Sequence, residues 1–428
     1  MSNRSATATN AGKIAVARDT RTSATTIENA LVAGLLAGGA RVIKLGLLPT
    51  PVLAYATRKL EANTGIMITA SHNPPQYNGI KLFNTNSMAF TQEQQNKIET
   101  LINKQQFTRQ PYKKIGTTTT AEANQNYIQT LVKTKIGKKW RVILDLGNGA
   151  TCHIVPRVFQ ALGCQATTLN AQPDGYFPAR NPEPDAESLV ELCALVKQLK
   201  ADIGFAYDGD GDRMIAVTKK GEFASFDQTL AAYAAYVVKK NKGGTVITTV
   251  EASMCMEKMV QQCGGKVLRT QVGDVAVAEE IERRKAVFGG EPCGAWIHPQ
   301  FHYCPDGILS SVLVLEALED QNKTLSRFIG EVPYYPVKKG SIECSNEAKA
   351  KVMQKIRESI PSAFPKIQEL TDIDGIRLTM AKGWVLVRAS GTEPLIRIKV
   401  EAENTQEAER IMEKCMNLVH KVIKGTGK

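Results

Sequence analysis

Residues 65–83 read GIMITASHNPPQYNGIKLF. Residues 66–68 form a short apolar run of the kind that fills a buried strand. Asn73 and the two prolines after it exclude a helix. Ser71 and His72 are therefore predicted to lie at the end of a strand, where α/β folds carry their reactive groups. A polar turn between strands is the alternative, and the rest of the chain decides between the two.

A second segment, the aspartate loop (Asp208–Arg213), alternates three carboxylates with two glycines. In an extended segment alternate side chains share a face, so one hard cation is predicted to bind all three, Asp208, Asp210 and Asp212. An EF-hand calcium loop would need glycine at Arg213 and glutamate at Lys219, and this sequence has neither. A solvated acidic turn is the other alternative, but carboxylates this close repel one another without a cation.

Two more loops carry polar groups in a pattern that suits a ligand. The glutamate loop (Gly289–Gly294) contains Glu291 and Cys293. The phosphate loop (Arg388–Pro394) offers a guanidinium, two hydroxyls and free backbone N–H groups, a set that can wrap a phosphate. Its predicted ligands are Arg388, Ser390, Gly391 and Thr392. An ordinary hairpin turn is the alternative for this second loop.

The four loops, taken in this order, resemble those of the α-D-phosphohexomutases. The resemblance implies that Ser71 carries a phosphoryl group, gives it to a sugar phosphate and takes it back. It also implies one Mg²⁺, bound by the three aspartates and by an oxygen on Ser71. Glu291 and Cys293 would contact the sugar, and the phosphate loop, with Arg397 on the next strand, would hold the distal phosphate.

The resemblance also implies a mechanism with a bisphosphorylated sugar as intermediate. That sugar turns around so that its other phosphate faces the serine, and glucosamine 1,6-bisphosphate or a similar bisphosphate serves as activator. We expect proton transfer and charge stabilisation from Lys81, His72 and Arg213. A lysine near several cations can have a lowered pKa, which is our expectation for Lys81.

The glutamate loop departs from the commoner family pattern, in which a serine and a histidine follow the glutamate. Cys293 and Ala295 stand at those positions here, and the loop looks most like that of the archaeal-type phosphoglucosamine mutases. His298 is expected either to handle protons or to be a plain surface histidine. A zinc site is a weaker hypothesis, because the spacing of its four candidate ligands matches no usual pattern: Cys293, His298, His302 and Cys304.

We therefore expect an intramolecular phosphotransferase that interconverts glucosamine 6-phosphate and glucosamine 1-phosphate. A phosphomannomutase or phosphoglucomutase of the same family is the alternative. Two alternatives from other classes are a phosphosugar phosphatase and a non-catalytic sugar-phosphate-binding protein. Gly147-Asn148-Gly149 suggests dinucleotide binding only weakly, because Cys152 stands in the place of the third glycine.

Strands alternate with helices along most of the chain, which predicts an α/β fold with parallel strands. We expect three similar mixed α/β sandwich domains and a smaller α+β C-terminal domain around a central cleft. We expect a phosphoserine domain at residues 1–119, a metal-binding domain at residues 120–220, a sugar-binding domain at residues 221–333 and a phosphate-binding domain at residues 334–428.

The start of the chain differs from the family pattern. Relatives usually begin with a Gly-Ile-Arg-Gly core whose arginine approaches the phosphoserine, and nothing before Lys13 matches it. Met1 to Gly12 is predicted to be a disordered polar tail. Either the first strand is lacking or another arginine substitutes, and Arg18 and Arg21 are equally explained as site residues or as surface charges.

Composition narrows the class of protein. The 428 residues carry a formal net charge of +12, which suits either a nucleic-acid surface or small anionic substrates. No basic run or zinc-finger spacing supports the former, so we expect sugar phosphates as partners and no nucleic acid. The chain has nine cysteines without a Cys-x-x-Cys pair, and it has no apolar signal or membrane segment, which together predict a cytoplasmic protein. No sequence pattern indicates the oligomeric state.

Overall fold

The computed structural model of the protein describes residues 12–364, 366–391 and 393–426. Its strands form four sheets, three of mixed direction and one wholly antiparallel. The predicted α/β fold, with three similar units and a different C-terminal unit, is confirmed. Residues 1–11 of the expected polar tail lie outside the described residues.

The first sheet has the strand order β4-β3-β1-β2-β5, and only β4 runs antiparallel to its neighbour. β3 is buried along its whole length, as its continuous apolar sequence predicts for a central parallel strand. Residue 119, expected at a domain boundary, lies within β5. The elements are β1 (Lys13–Arg18), α1 (Ala24–Ala37), β2 (Arg41–Leu47), α2 (Thr50–Lys59), β3 (Thr64–Ile68), β4 (Ile80–Phe83), α3 (Gln92–Asn103) and β5 (Thr117–Thr120).

The second sheet has the order β7-β6-β8-β9, again with only the last strand antiparallel. β8 and β9 are buried throughout, and the turn between them packs against the first unit, where the Thr50 N–H donates to the Asp210 carbonyl at 2.9 Å. The elements are α4 (Asn124–Leu131), β6 (Arg141–Asp145), α5 (Val155–Ala161), β7 (Gln165–Leu169), α6 (Val190–Gln198), β8 (Ile203–Tyr207) and β9 (Met214–Thr218).

The third sheet repeats this order as β11-β10-β12-β13. α10 is buried on nearly all sides, because it packs on β8 and β9 of the second unit as well as on α7. The elements are α7 (Phe226–Lys240), β10 (Gly244–Thr249), α8 (Cys255–Gln262), β11 (Gly265–Thr270), α9 (Asp274–Arg284), β12 (Phe288–Gly290), β13 (Trp296–Ile297), α10 (Gly307–Asp320) and α11 (Leu325–Gly330).

The same connection carries a candidate loop in each mixed sheet. A parallel strand ends, a loop follows, and the chain returns as the antiparallel edge strand: β3 to β4, β8 to β9 and β12 to β13. These connections contain Ser71, the aspartate loop and Glu291, respectively. A bridge between Arg213 and Ala295 joins the second connection to the third. One hydrophobic core runs through the three units, so the loops meet on a common support.

The fourth sheet is antiparallel, in the order β14-β18-β17-β16-β15. Two helices cover it through a separate hydrophobic core. A small cluster of Val250, Trp384 and Leu386 packs this unit against the third. The elements are β14 (Val337–Glu343), α12 (Asn346–Ala363), β15 (Ile367–Thr371), β16 (Ile376–Met380), β17 (Gly383–Ala389), β18 (Leu395–Ala402) and α13 (Thr405–Thr426). Among the described residues no helix is long and apolar enough to span a bilayer.

Candidate active site

Ser71 occupies a strained position directly after β3. Its φ is 51°, in the left-handed region that non-glycine residues rarely adopt, and its side chain is buried. The Oγ atom donates to Asp208 Oδ2 at 2.8 Å, and the backbone N–H donates to Thr69 Oγ1 at 2.8 Å. The strained turn therefore aims the hydroxyl at the aspartate loop of the second unit.

Arg21 fixes the backbone around this serine. Its guanidinium donates to the carbonyl oxygens of Ser71 at 2.8 Å and of Asn73 at 2.7 Å, and also to those of Pro74 and Tyr77. Buried Asp19 pairs with the same guanidinium at 2.9 Å. Arg21 is therefore not a surface charge: it is buried and supports the serine loop, residues 69–79.

Arg18 points elsewhere. Its Nε atom lies 3.1 Å from Glu28 Oε2, and Lys44 Nζ lies 3.0 Å from the other oxygen of the same carboxylate. Arg18 therefore belongs to a small ion-pair group on the first unit and has no contact with Ser71 among the described hydrogen bonds.

The three aspartates converge, but by a turn and not by the extended segment that the sequence suggested. Gly211 adopts a φ of 76°, and one carboxylate oxygen from each aspartate lies within 4.8 Å of the other two. Asp210 Oδ1 and Asp212 Oδ1 are buried and have no hydrogen-bond partner. Two buried carboxylate oxygens without donors, close to a third carboxylate, fit a hard divalent cation.

Lys81 lies between two of these carboxylates. Its Nζ atom is 3.0 Å from Asp210 Oδ2 and 2.8 Å from Asp212 Oδ2. Burial of the ammonium group opposes a rise, but the two carboxylates outweigh it and raise the pKa of Lys81 well above its ordinary value. The expectation of a lowered pKa was wrong, because the nearest charges are anions and not cations.

His72 and Arg213 meet through a carboxylate that the sequence analysis missed. Glu183 Oε1 lies 2.9 Å from Arg213 Nη1, and Glu183 Oε2 lies 3.5 Å from His72 Nε2. Burial, and then the charge of Arg213, lower the pKa of His72. The imidazole is therefore neutral at neutral pH and has a lone pair to accept a proton.

Glu291 is held by a backbone amide. Its Oε2 atom accepts a hydrogen bond from the N–H of Gly273 at 3.0 Å, and burial raises the pKa of the carboxyl group to about 7. Cys293, two residues on, has its thiol pKa raised to about 12 by burial. The Arg213–Ala295 bridge places this loop beside the aspartate loop.

His298 is neither the surface residue nor the proton-handling residue that the sequence suggested. It lies in the core, where Nε2 is 2.9 Å from Ser310 Oγ and the ring packs on Tyr233 and Phe288. Burial lowers its pKa to about 3. His302 bonds Asp306 at 2.9 Å, so both histidines among the candidate zinc ligands have other partners.

The phosphate loop is held by its own unit and by the third. Arg388 Nε lies 3.1 Å from Asp374 Oδ1, and Arg388 Nη1 lies 3.1 Å from Glu251 Oε1. The buried Nζ of Lys349 donates to the carbonyl of Ser390 at 2.6 Å. Of the remaining predicted ligands, Gly391 has open space around its Cα, Arg397 pairs with Glu393, and Thr392 lies outside the described residues.

Four models of known protein domains match this chain in order. All four describe phosphoglucomutase/phosphomannomutase, as alpha/beta/alpha domains I, II and III at residues 2–109, 124–221 and 225–335 and as the C-terminal domain at residues 342–418. The chain belongs to the phosphoglucomutase/phosphomannomutase family. The prediction of a phosphohexomutase-type enzyme, an isomerase, is confirmed.

Members of this family with curated names are similar along nearly the whole chain. The phosphoglucosamine mutase of Methanocaldococcus jannaschii is 43% identical over 417 residues, which cover 96% of this chain and 92% of that protein. The phosphoglucosamine mutase of Methanococcus maripaludis is 43% identical over 415 residues, with coverages of 95% and 92%. A family protein from Burkholderia thailandensis superposes with a TM-score of 0.87 at 28% identity, over 96% of this chain and 89% of that one.

Proposed function

We propose that the protein interconverts glucosamine 6-phosphate and glucosamine 1-phosphate through a phosphorylated Ser71 and a bisphosphorylated sugar. The observation that carries the proposal is the hydrogen bond from Ser71 Oγ to Asp208 Oδ2, which places a buried hydroxyl at the edge of the acidic cluster. The 43% identity with phosphoglucosamine mutases over nearly the full chain supports the choice of sugar.

In the first half-reaction, the bond between phosphorus and Ser71 Oγ breaks and a bond to the sugar hydroxyl oxygen forms. The proton of that hydroxyl is accepted by His72 and passes to Ser71 Oγ, so the serine leaves as a free hydroxyl. Arg213 and the protonated Lys81 offset the negative charge that spreads over the transferred group. The second half-reaction reverses these bonds at the other end of the sugar.

One Mg²⁺ fits the acidic cluster. Asp208, Asp210 and Asp212 would hold it, together with an oxygen of the phosphorylated Ser71. When bound, the ion supplies positive charge that neutralises the phosphoryl oxygens. The unpartnered Oδ1 atoms of Asp210 and Asp212 support this role.

The sugar and its second phosphate would be held by the other two loops. Glu291, with Cys293 beside it, would bind hydroxyls or the 2-amino group. The distal phosphate would be held by the set Arg388, Ser390, Gly391, Thr392 and Arg397. Glucosamine 1,6-bisphosphate, or a similar bisphosphate, would restore phosphoserine when the intermediate escapes.

We assign the four roles to four regions of the chain. Residues 1–119 would carry the phosphoserine and residues 120–220 the metal. Residues 221–333 would bind the sugar, and residues 334–428 the distal phosphate. Sugar phosphates are the proposed partners. The cytoplasm is the proposed compartment, since all nine cysteines are unpaired.

The test is an assay of purified protein with glucosamine 1-phosphate, glucose 1-phosphate and mannose 1-phosphate, each with its activating bisphosphate. A contact between Glu291 and a charged amino group is worth about 1.5–3 kcal/mol, so kcat/KM for the amino sugar should be about ten- to a hundredfold higher. Equal or reversed preference supports a phosphomannomutase or phosphoglucomutase instead. Net release of inorganic phosphate supports a phosphatase, and binding without turnover a sugar-phosphate-binding protein.

A further inference from the structure

Asp374 lies on the turn between β15 and β16 and contacts two other units of the site. Its Oδ1 atom accepts a hydrogen bond from Arg388 Nε at 3.1 Å. Its Oδ2 atom accepts one from the backbone N–H of Val272 at 3.2 Å. One carboxylate therefore joins the phosphate loop of the fourth unit to the segment before α9 in the third unit.

The segment that Asp374 holds also holds Glu291. Val272 donates its N–H to Asp374, and the next residue, Gly273, donates its N–H to Glu291 Oε2 at 3.0 Å. Gly273 has a φ of 124°, a conformation that favours glycine, and this lets two successive N–H groups reach two different carboxylates. The position of Glu291 is thus tied to that of Asp374 through two peptide groups.

The packing around Asp374 keeps this link short. Gly375 has a φ of 86°, and a Cβ there would lie 2.5 Å from the carbonyl oxygen of Val387, so the turn sits directly against β17. Val272 also packs against the buried cluster of Val250, Trp384 and Leu386 between the two units. Arg388 is held from its other side by Glu251 at 3.1 Å.

We propose that Asp374 is a positioning residue that couples binding of the distal phosphate at Arg388 to recognition of the sugar by Glu291. The proposal rests on the proposed function, since it gives these two residues their ligands. When Arg388 binds a phosphate, its contact with Asp374 changes. Asp374 in turn fixes the N–H groups that orient Glu291, so the change reaches Glu291. By linkage, a sugar well seated at Glu291 favours the phosphate to the same extent.

The test compares Asp374→Asn with a matched control, Asp372→Asn. An asparagine side chain has a single acceptor oxygen, so it cannot accept hydrogen bonds from both the Val272 N–H and Arg388 Nε, and it also loses the negative charge toward Arg388. Asp372 lies on the same turn, but its carboxylate pairs with exposed Arg357 and has no hydrogen bond to the described residues of either loop. Asp374→Asn should raise KM for the sugar phosphate about tenfold, with kcat changed less than about twofold, whereas Asp372→Asn should change neither.

Coupling is measured by a double-mutant cycle with Glu291→Gln. If Asp374 acts through Glu291, the loss in preference for glucosamine 1-phosphate over glucose 1-phosphate should be similar in Asp374→Asn, in Glu291→Gln and in the double variant. If the loss of preference in the double variant instead equals the product of the losses in the two single variants, the proposal is overturned.

A readout without any ligand separates this proposal from the proposed function. Hydrogen–deuterium exchange of the backbone N–H groups at 272–273 should speed up by about tenfold in Asp374→Ala, which removes both acceptor oxygens, and stay unchanged in Asp372→Ala. Unchanged exchange in Asp374→Ala would overturn the proposal, whatever sugar the protein uses. Faster exchange together with no turnover of any sugar phosphate would retain the link and contradict the proposed function.

Discussion

The hydroxyl of Ser71 donates to the carboxylate of Asp208 at 2.8 Å, although 137 positions separate the two residues in the chain. Each lies in a loop that follows a buried parallel strand, and the two strands belong to different sheets. The reacting serine and the acidic cluster are therefore brought together by the packing of one unit on another. Substitution of either residue should therefore lower activity while the unit that contains it still folds.

Removal of the hydroxyl should abolish turnover. In Ser71→Ala we expect kcat to fall at least about a thousandfold, because no other group described at this position can carry the phosphoryl group. Thr100→Ala, which alters an exposed hydroxyl on α3 that donates to the Asn96 carbonyl of the same helix, should retain full activity. Phosphopeptide mapping after incubation with the sugar bisphosphate should place the phosphate on Ser71, and a phosphate on another residue would contradict the mechanism.

Removal of the cation should stop turnover and lower stability. At a Mg²⁺ concentration about a hundred times the dissociation constant, bound ion raises the free energy of unfolding by about 2.7 kcal/mol. We expect Asp210→Asn to lose this gain, and Glu93→Gln, which alters an exposed carboxylate on α3, to keep it. Denaturant unfolding with Mg²⁺ and with EDTA measures both, and full activity in EDTA would argue against the metal site.

Glu291 should give the protein a characteristic pH dependence. Burial raises its pKa from 4.5 to about 7, so between these values the folded state binds a proton that the unfolded chain has released. The free energy of unfolding should therefore fall as the pH rises from about 4.5 to about 7, by about 3 kcal/mol in total. Glu291→Gln should lack this contribution, and parallel stability curves for the two proteins would disprove it.

Arg21 should matter for both folding and rate. Lysine cannot reach four carbonyl oxygens at once, so Arg21→Lys should lower the free energy of unfolding by about 3 kcal/mol and kcat by about a hundredfold. The matched control is Arg18→Lys, since that residue is partly exposed and pairs with Glu28 only at the edge of the unit. Normal kcat in Arg21→Lys would show that the strained serine turn is stable without it.

The sequence predicted those parts of the site whose pattern is local. The three aspartates are recognisable because they lie within five residues, and Ser71 because an apolar strand precedes it. Glu183 and Asp374 gave no such signal, since each acquires its role through a contact with another unit, Glu183 with His72 and Asp374 with Val272. Both lie in ordinary turn sequences.

The properties that depend on surroundings were also beyond the sequence. The pKa of Lys81 rises because the fold places two carboxylates within 3.0 Å of its ammonium group. His298 seemed available for chemistry, but it is buried by aromatic residues on two other elements, Tyr233 on α7 and Phe288 on β12. Charge neighbours and burial are products of tertiary structure, and short sequence motifs do not encode them.

The bridge between Arg213 and Ala295 has a consequence for attempts to divide the chain. Together with the hydrogen bond from Met214 N–H to the Gly294 carbonyl, at 3.1 Å, it covers the starts of β9 and β13, the outermost strands of two sheets. Exposed strand edges recruit other chains and promote aggregation. A fragment containing only the second or only the third unit would uncover such an edge, and it should therefore be less soluble than the intact chain.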